Sequence, residues 1–370
     1  MQRRHLLRHA ALGAILLPLA AASPASWARR RARESGPPET AADAVAYGMR
    51  NELADFAAAV AQRQGLDADW IRQALAQARR LPTVARLIMP APRDTPPNWA
   101  AYRTRAVESV RIRAGLTFWS SNAHWLAAAD ERYGVPADVV VGILGIETIY
   151  GRHTGSFRVI DSLATLSFDF PTGRSDRSAF FRSELESFLL MCHGAGIDPL
   201  APRGSFAGAM GMGQFMPSSA LRFGIDFDED GLIDLERNPA DVIGSVAHYL
   251  AAFGWERGVP SRLSVEPPAQ TLDRALLLVP DIVPTFSAQE FSDRGAVLAP
   301  EHREYDGKLA LVELQNGDAT PSYFAGTGNF YAITRYNWSS FYAMAVIELG
   351  EAVARERARS ALAAVPQAKR

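Results

Sequence analysis

The sequence predicts a mainly α-helical protein of the α+β class that carries one small β-rich insert. Alanine-rich stretches with the amphipathic spacing of helices occupy three parts of the chain: residues 40–78, 102–133 and 340–363. Residues 262–325 differ, because short apolar runs at 275–279 and 308–314 are separated there by Pro, Gly and Asp, a pattern typical of short strands. The composition, 48% hydrophobic and 21% charged, is that of a globular chain with a core.

Charge and cysteine content exclude several classes of protein. The 39 basic and 40 acidic residues give a formal charge of −1, so the chain lacks the excess of positive charge that would indicate a nucleic-acid partner. The single cysteine, Cys192, excludes an internal disulfide framework and a multi-cysteine metal site, and we expect it to be a small buried residue.

The N-terminus has the pattern of an export signal. Arginines near the start precede an uncharged apolar stretch at residues 10–22, and Ser26 and Ala28 are small residues suited to a cleavage site. We therefore expect a signal peptide over 1–28 and a linker over 29–40. The paired arginines also fit a twin-arginine signal, and a retained N-terminal anchor is the alternative. No cysteine directly follows the apolar stretch, which predicts a soluble periplasmic protein without a lipid anchor. No later segment reaches the ~18 apolar residues of a membrane helix.

Glu147 is the first candidate for chemistry. It lies near the C-terminal end of a segment, 139–149, that is apolar on every side and therefore predicts a buried helix, with Pro136 at its start and Gly151 able to end it. Burial and the negative end of the helix dipole both favour the protonated carboxyl, which is the form that a general acid needs. The alternative is a structural glutamate paired with Arg152 or another arginine.

Two further segments are typical of sugar binding. Residues 204–219 contain four glycines within ten positions and Gln214, whose amide can donate to and accept from a sugar, while no phosphate-loop pattern is present. Residues 330–342 combine aromatic rings with Asn337, a pairing that suits stacking on sugar rings. Tight packing through small residues and an aromatic core patch are the respective alternatives.

An acidic loop resembles the first half of a calcium-binding EF-hand loop. Its members are the three carboxylates Asp226, Asp228 and Asp230 at positions 1, 3 and 5, Gly231 at position 6, the Leu232 carbonyl and the apolar Ile233 at position 8. We expect a structural calcium ion here, with a solvated acidic turn as the alternative.

The closing ligand of this loop departs from the EF-hand pattern. Arg237 stands where the bidentate glutamate is usual, so Asp241 would have to reach back to the ion. Alternatively, Asn238 caps a helix that begins at Pro239, and Asp241 completes a capping box.

In this order the motifs closely resemble the membrane-bound lytic transglycosylase B family, which cleaves bacterial peptidoglycan. The resemblance covers most of residues 40–355 and is strongest over 133–257 and 328–352; the runs that carry it are 145–152, 161–168, 204–219, the acidic loop and 333–337. It implies a helical domain beginning at 41–135, a lysozyme-like catalytic core with a calcium-type loop at 136–261, the β-rich insert at 262–327, and a helical part at 328–370 that completes the groove.

The resemblance also implies roles for individual residues. Glu147 falls on the catalytic glutamate, and substrate contacts fall on Ser205, Gln214, Tyr249, Tyr336, Asn337 and Tyr342. Calcium ligands fall on Asp226, Asp228, Asp230, the Leu232 carbonyl and the distal Asp241. The chain is one residue longer than the family pattern between Asp230 and Asp241. No organic cofactor is implied.

The implied reaction cleaves the bond between N-acetylmuramic acid and N-acetylglucosamine and forms a 1,6-anhydromuramic acid end, with Glu147 as acid and then base. Peptidoglycan strands and other cell-wall enzymes are the implied partners. Three alternatives remain: a hydrolase with a second carboxylate such as Asp161, Asp169 or Glu184, a catalytically idle peptidoglycan-binding protein, and a calcium-binding scaffold.

Overall fold

A computed structural model describes residues 45–90 and 96–363. The predicted signal peptide 1–28 and the linker 29–40 lie outside the described residues. The helices are α1 Asn51–Gln64, α2 Ala68–Ala76, α3 Pro82–Leu87, α4 Trp99–Ala106, α5 Ser109–Ser121, α6 Ala123–Tyr133, α7 Ala137–Thr148, α8 Val159–Phe168, α9 Ser178–Gly194, α10 Pro217–Phe223, α11 Pro239–Ala252, α12 Thr271–Leu278, α13 Ala288–Asp293, α14 Gly328–Tyr336 and α15 Ser340–Ala363.

The strands are short. They are β1 Val45–Ala46, β2 Arg79–Arg80, β3 Phe157–Arg158, β4 Arg203–Gly204, β5 Arg262–Leu263, β6 Val265–Glu266, β7 Val297–Leu298, β8 Ala310–Asn316 and β9 Ala319–Gly326. The predicted mainly α architecture is therefore confirmed. Within the described ranges, no helix combines the length and apolar character needed to cross a bilayer.

The largest core forms around α7. Every residue of α7 from Val139 to Thr148 is buried, which confirms the buried helix predicted from its sequence. Side chains of α4, α5, α6, α11, α14 and α15 complete this core. Because helix α7 has no polar face, it needs neighbours on all sides, and the surrounding helices supply them.

A second core joins distant parts of the chain. Helices α1, α2 and α3 pack against α8 and α9, and Cys192 is buried among them as expected. The predicted helical segment 41–135 is thus divided: residues 47–88 belong to this core, whereas residues 99–129 belong to the core around α7. Amphipathic spacing shows that a helix has a buried face but does not identify the helix that covers it.

The insert contains a three-stranded antiparallel sheet in the order β5-β9-β8 and the separate pair β6-β7. Strand β8 is buried on both faces at its start: Leu311, together with Leu309 just before the strand, packs in the insert, while Ala310, Val312 and Leu314 pack on the core around α7. The strand predicted at 308–314 is confirmed. The strand predicted at 275–279 is wrong, because this run lies largely in α12; a short apolar run fits a strand and a helix equally well.

Helices α7 and α15 approach closely because glycines lie at their contact. A Cβ atom at Gly142 would clash with the carbonyl oxygen of Val346, and one at Gly350 would clash with the carbonyl oxygen of Asp138. These pairs show that the two helices run antiparallel, so the start of α15 lies at the end of α7.

We predict that Gly142→Ala destabilises the protein, because the added methyl group must push α15 away from α7. The expected loss of unfolding free energy is about 1–3 kcal/mol, as for other overpacked core positions. Thermal unfolding followed by circular dichroism measures it. Gly194→Ala is the control, since nothing lies within 4 Å of a Cβ there; an equal melting temperature for both variants would contradict close packing at Gly142.

Candidate active site

Glu147 occupies the last turn of α7, where its side chain is 3% exposed. The hydroxyl of Tyr342, on α15, donates a hydrogen bond of 2.7 Å to its Oε1 atom. Burial, together with the negative charge of Glu147, raises the pKa of Tyr342 well above its usual value, so the phenol stays protonated and remains a donor. The structure thus holds a buried carboxyl in a fixed orientation.

Helix α7 ends in an unusual turn directly after this carboxyl. Ile149 and Tyr150 have φ values of 52° and 57°, and Gly151 follows with 84°, so the helix stops at Thr148, earlier than Gly151 alone would predict. Left-handed φ is rare for a β-branched residue such as isoleucine, and such strain persists only where surrounding contacts enforce it.

Thr148 provides one of those contacts. Its hydroxyl donates to the carbonyl oxygen of Met212 at 2.7 Å and accepts from the N–H of Gly151 at 2.8 Å. The residue is fully buried. It therefore fastens the end of α7 to the glycine-rich segment, a role that composition and spacing did not indicate.

The glycine-rich segment is held by side chains that the sequence assigned to the substrate. Gln214, at φ 52°, donates from Nε2 to the carbonyl oxygens of Thr154 and Gly211, both at 3.0 Å. The Ser205 hydroxyl accepts from backbone N–H groups, among them that of Ala209 at 3.0 Å. These bonds leave the Oε1 atom of Gln214 as an acceptor and the hydroxyl proton of Ser205 as a donor for other partners.

Two tyrosines of the predicted pocket bond to backbone. Tyr336 donates to the carbonyl oxygen of Gly213 at 2.6 Å, and Tyr249 donates to that of Arg335 at 2.6 Å. Burial first, and then the charge of Glu147, raises the pKa of Tyr336 well above its usual value. These two phenols are thus fixed by backbone bonds, and Tyr342, only 1% exposed, is fixed by its bond to Glu147; substrate contact by the three tyrosines stays a prediction.

Asn337 differs from these tyrosines. It follows the last residue of α14 and is half-buried, and its described bond runs from the N–H of Ser339 to its backbone carbonyl oxygen. Substrate contact by its side-chain amide stays a prediction.

The three carboxylates considered as a second catalytic group have structural partners. Asp161 accepts from the guanidinium of Arg158 at 2.7 Å, and Asp169 accepts from the Tyr47 hydroxyl at 2.6 Å. Glu184 accepts from the hydroxyl and the N–H of Ser218 at the start of α10. Each carboxylate stabilises the fold where it lies, so none of the three is assigned to bond cleavage.

The acidic loop gathers three carboxylates. Oxygen atoms of Asp226, Asp228 and Asp230 lie within 4.8 Å of one another. Asp228 Oδ1 is buried without a hydrogen-bond partner, while its Oδ2 accepts from Asn238 at 3.0 Å. Because a buried carboxylate oxygen without a partner is costly, this atom fits a cation ligand.

Asp241 lies in the first turn of α11, directly after the loop. It is fully buried, and its two oxygens accept from the N–H groups of Phe227 and Asp234, both at 2.8 Å. Burial raises its pKa, and the backbone bonds oppose that shift. Asp241 thus ties the two ends of the loop to α11 and does not complete a capping box, while its role as a calcium ligand stays a prediction.

The remaining features of the loop agree in part with the sequence pattern. Asn238 caps α11 by accepting from the N–H of Ala240 at 3.0 Å. The Leu232 side chain is 69% exposed, and its N–H donates to Asp230 at 2.8 Å. Its carbonyl stays a predicted ligand.

Comparison with known proteins shows clear similarity over most of the chain. The sequence profile described as Transglycosylase SLT domain matches residues 48–351. Membrane-bound lytic murein transglycosylase B of Escherichia coli strain K12 is 40% identical over 304 residues, which are 80% of this chain and 80% of that protein.

Two solved structures share the fold. Escherichia coli Slt35 in complex with calcium has a TM-score of 0.73 and 37% identity, covering 87% of this chain and 99% of that one. SltB3 from Pseudomonas aeruginosa, in complex with NAG-anhNAM-pentapeptide, has a TM-score of 0.70 and 31% identity, covering 82% and 79%. The lysozyme-like character that the sequence predicted agrees with these structures. With its buried glutamate and a profile match that spans most of its length, the chain belongs to the SLT-type lytic transglycosylase family.

Proposed function

We propose that this protein is a peptidoglycan lytic transglycosylase that uses Glu147 as its acid and base. The observation that carries the proposal is the buried Glu147 carboxyl, oriented by Tyr342 at the end of α7. The relatives support the reaction class, because one is named a lytic murein transglycosylase and another is in complex with NAG-anhNAM-pentapeptide.

The first step breaks the glycosidic bond. Glu147 donates its proton to the oxygen that links N-acetylmuramic acid to N-acetylglucosamine, and the C1–O bond breaks as the N-acetylglucosamine side leaves as an alcohol. Positive charge develops at C1, as in other glycosidases. The 2-acetamido oxygen of the muramic acid stabilises this charge, so no second carboxylate is required.

The second step closes the ring. The Glu147 carboxylate removes the proton of the muramic acid 6-hydroxyl, and O6 attacks C1 to form the 1,6-anhydro bond. Glu147 is then protonated again and no water is consumed. One residue acts in both steps, and the Tyr342 hydrogen bond keeps it in place for both.

The surrounding polar groups would position the strand. The Gln214 Oε1 atom, the Ser205 hydroxyl proton and the Asn337 amide are the groups that protein contacts leave for sugar hydroxyls and acetamido groups. They come from two separate segments, the glycine-rich segment and the end of α14, so together they can hold a sugar relative to Glu147 in a single orientation.

Hydrolysis is the alternative outcome for the same groove. It requires a second carboxylate that activates water or attacks C1. Asp161, Asp169 and Glu184 bond instead to Arg158, Tyr47 and Ser218, which favours the intramolecular reaction.

We infer that the protein acts in the periplasm, where its substrate lies. The inference rests on the pattern of residues 1–28, with export by the general or the twin-arginine route. Other cell-wall enzymes are proposed partners.

We also propose that the acidic loop binds calcium in a structural role. Asp226, Asp228 and Asp230 supply hard oxygen donors, and the buried Asp228 Oδ1 atom gains a partner when an ion binds. Slt35, which shares the fold, is a calcium complex. The ion would stabilise the loop and takes no part in bond cleavage.

Glu147→Gln is predicted to stop turnover while binding of glycan strands persists, because glutamine has a similar shape but cannot transfer the proton. Activity should fall by roughly 10²- to 10⁴-fold or more. Mass spectrometry of the products from purified sacculi measures it, with the exposed Glu131→Gln as control. Anhydromuropeptides are lighter by one water than hydrolysis products; full-mass reducing ends from the wild type would indicate a hydrolase.

Tyr342→Phe is predicted to lower kcat by roughly 10- to 100-fold, with little change in KM. This factor corresponds to the free energy of one hydrogen bond to a charged group. Loss of the donor favours the protonated carboxyl, so the alkaline limb of the pH–rate profile should move to higher pH. Tyr47→Phe also removes a tyrosine–carboxylate bond, but in the other core, and is the control. An unchanged pH profile in Tyr342→Phe would exclude the orienting role.

Calcium is predicted to raise the melting temperature. A ligand that binds only the folded state adds about 2.7 kcal/mol to the free energy of unfolding when its concentration is one hundred times its Kd. Asp228→Ala should abolish this shift, whereas the exposed Asp318→Ala should retain it. Magnesium should have a smaller effect, because it prefers a tighter octahedral site. Equal melting curves with calcium and with chelator would mean a solvated acidic turn.

A further inference from the structure

Tyr150, the second residue after α7, has a ring that folds back against the helix that carries Glu147. A Cβ atom at Gly115 of α5 or at Gly145 of α7 would overlap with the Tyr150 hydroxyl. The hydroxyl therefore lies in a slot between these two glycines, the glycine slot. The ring also stacks on Phe118 of α5, with 5.1 Å between the ring centroids. The steps proposed for bond cleavage use neither this ring nor the slot.

The phenol of Tyr150 is not placed for acid–base chemistry. Its hydroxyl is buried and has no hydrogen-bond partner among the described residues. Burial raises the pKa of this phenol, and the nearby charge of Arg111 opposes the shift. A buried hydroxyl without a partner costs free energy, so the packing of the ring must compensate for it. What the side chain contributes is therefore the shape and volume of its ring.

The backbone of Tyr150 belongs to the strained turn that ends α7. Ile149 and Tyr150 both have left-handed φ values, where helix ends usually have glycine. Their N–H groups both donate to the carbonyl oxygen of Leu144, that of Tyr150 at 3.1 Å. These bonds close the last turn of α7, which contains Glu147. Because the turn is costly for residues with side chains, a tertiary contact must enforce it, and the ring in the glycine slot provides one.

The ring reaches Glu147 through the backbone and not by direct contact. Gly145 and Glu147 are two positions apart, which is ~200° around the helix axis, so the slot and the carboxyl lie on opposite faces of α7. With the ring anchored between α5 and α7, the last turn of α7 has a fixed position relative to α15. Without the ring the turn can relax toward ordinary φ values, and Glu147 then shifts relative to Tyr342, its hydrogen-bond donor.

We propose that Tyr150 is a positioning residue for the proposed reaction: its ring, seated in the glycine slot, holds the left-handed turn that places the Glu147 carboxyl against Tyr342. The proposal rests on the function proposed above. It requires that the ring matters and the hydroxyl does not. It also requires that Gly115, which lies on a different helix from Glu147, affects the same step.

The first comparison is between two substitutions of Tyr150, with rates measured as release of anhydromuropeptides from soluble glycan strands. Tyr150→Leu leaves the slot unfilled and should lower kcat by roughly 10- to 100-fold, because a shift of about 1 Å in a catalytic group has an effect of that size. KM should change by less than roughly twofold, since the substitution removes no substrate contact. Tyr150→Phe keeps the ring and should restore most of the lost kcat.

The pH profile separates a positioning role from a purely structural one. In Tyr150→Leu the displaced carboxyl loses its donor, so the alkaline limb of the pH–rate profile should move to higher pH, as in Tyr342→Phe. The double variant should lose less activity than the product of the two single losses, because both substitutions act on the same hydrogen bond. Loss of stability alone would leave the pH profile in place and the two losses independent.

Matched variants test the slot and the effect of stability. Gly115→Ala fills the slot from α5 and should reproduce the loss of kcat, so the proposal stays testable if Tyr150→Leu fails to fold. Gly194→Ala, at which nothing lies within 4 Å of a Cβ atom, is its control. Phe188→Leu removes a fully buried ring from the other core and should lower the melting temperature without changing kcat. Circular dichroism establishes which variants are folded.

Two results would overturn the proposal. One is a folded Tyr150→Leu variant with the kcat and pH profile of the wild type. The other is a Tyr150→Phe variant as slow as Tyr150→Leu, which would make the hydroxyl the active group. Product analysis of the wild type tests the reaction separately. A wild type without anhydromuropeptides rejects the proposed function, whereas an active wild type matched by Tyr150→Leu rejects only the role of Tyr150.

Discussion

The hydrogen bond between Tyr342 and Glu147 is the interaction on which the site depends. It requires α15 to lie unusually close to α7, and Gly142 and Gly350 permit that approach because any side chain there would meet the backbone of the opposite helix. The bond spans 195 positions in the chain, so it exists only in the folded protein. Because this carboxyl is buried, the packing of the two helices fixes its orientation, and contact with solvent does not.

Around that pair, three backbone segments are joined by side chains. Thr148 bonds to Met212, Gln214 to Thr154, and Tyr336 to Gly213, so the end of α7, the glycine-rich segment and α14 form one hydrogen-bonded unit. Several residues that the sequence predicts as substrate contacts therefore also form hydrogen bonds within the protein. Their bonds hold the strained turn at Ile149 and leave only selected atoms for a ligand.

The acidic loop connects to the same unit through α11. Asp241 lies in the first turn of this helix and holds both ends of the loop, while Tyr249 near its end bonds to Arg335 in α14. Stabilising the loop thus supports the helix that carries Tyr336 and precedes Asn337. A structural ion at Asp226, Asp228 and Asp230 would therefore stabilise the segment that carries the proposed sugar ligand Asn337.

Sequence patterns were enough to predict the helical class, the buried helix of Glu147, the strand at 308–314 and the order of motifs that indicates the family. These are local features, which periodicity, capping residues and short motifs indicate without knowledge of the fold. They did not show that the run at 275–279 is helical, because a short apolar run fits a strand and a helix equally well. They also did not divide residues 41–135 between two cores, because an apolar face does not identify the element that packs against it. Three features became visible only in the folded protein: Tyr342 bonds to Glu147, Asp241 bonds to backbone, and the Tyr150 hydroxyl lies between Gly115 and Gly145. Each of these depends on contacts between residues far apart in the chain, whose geometry is set by packing and not by local sequence.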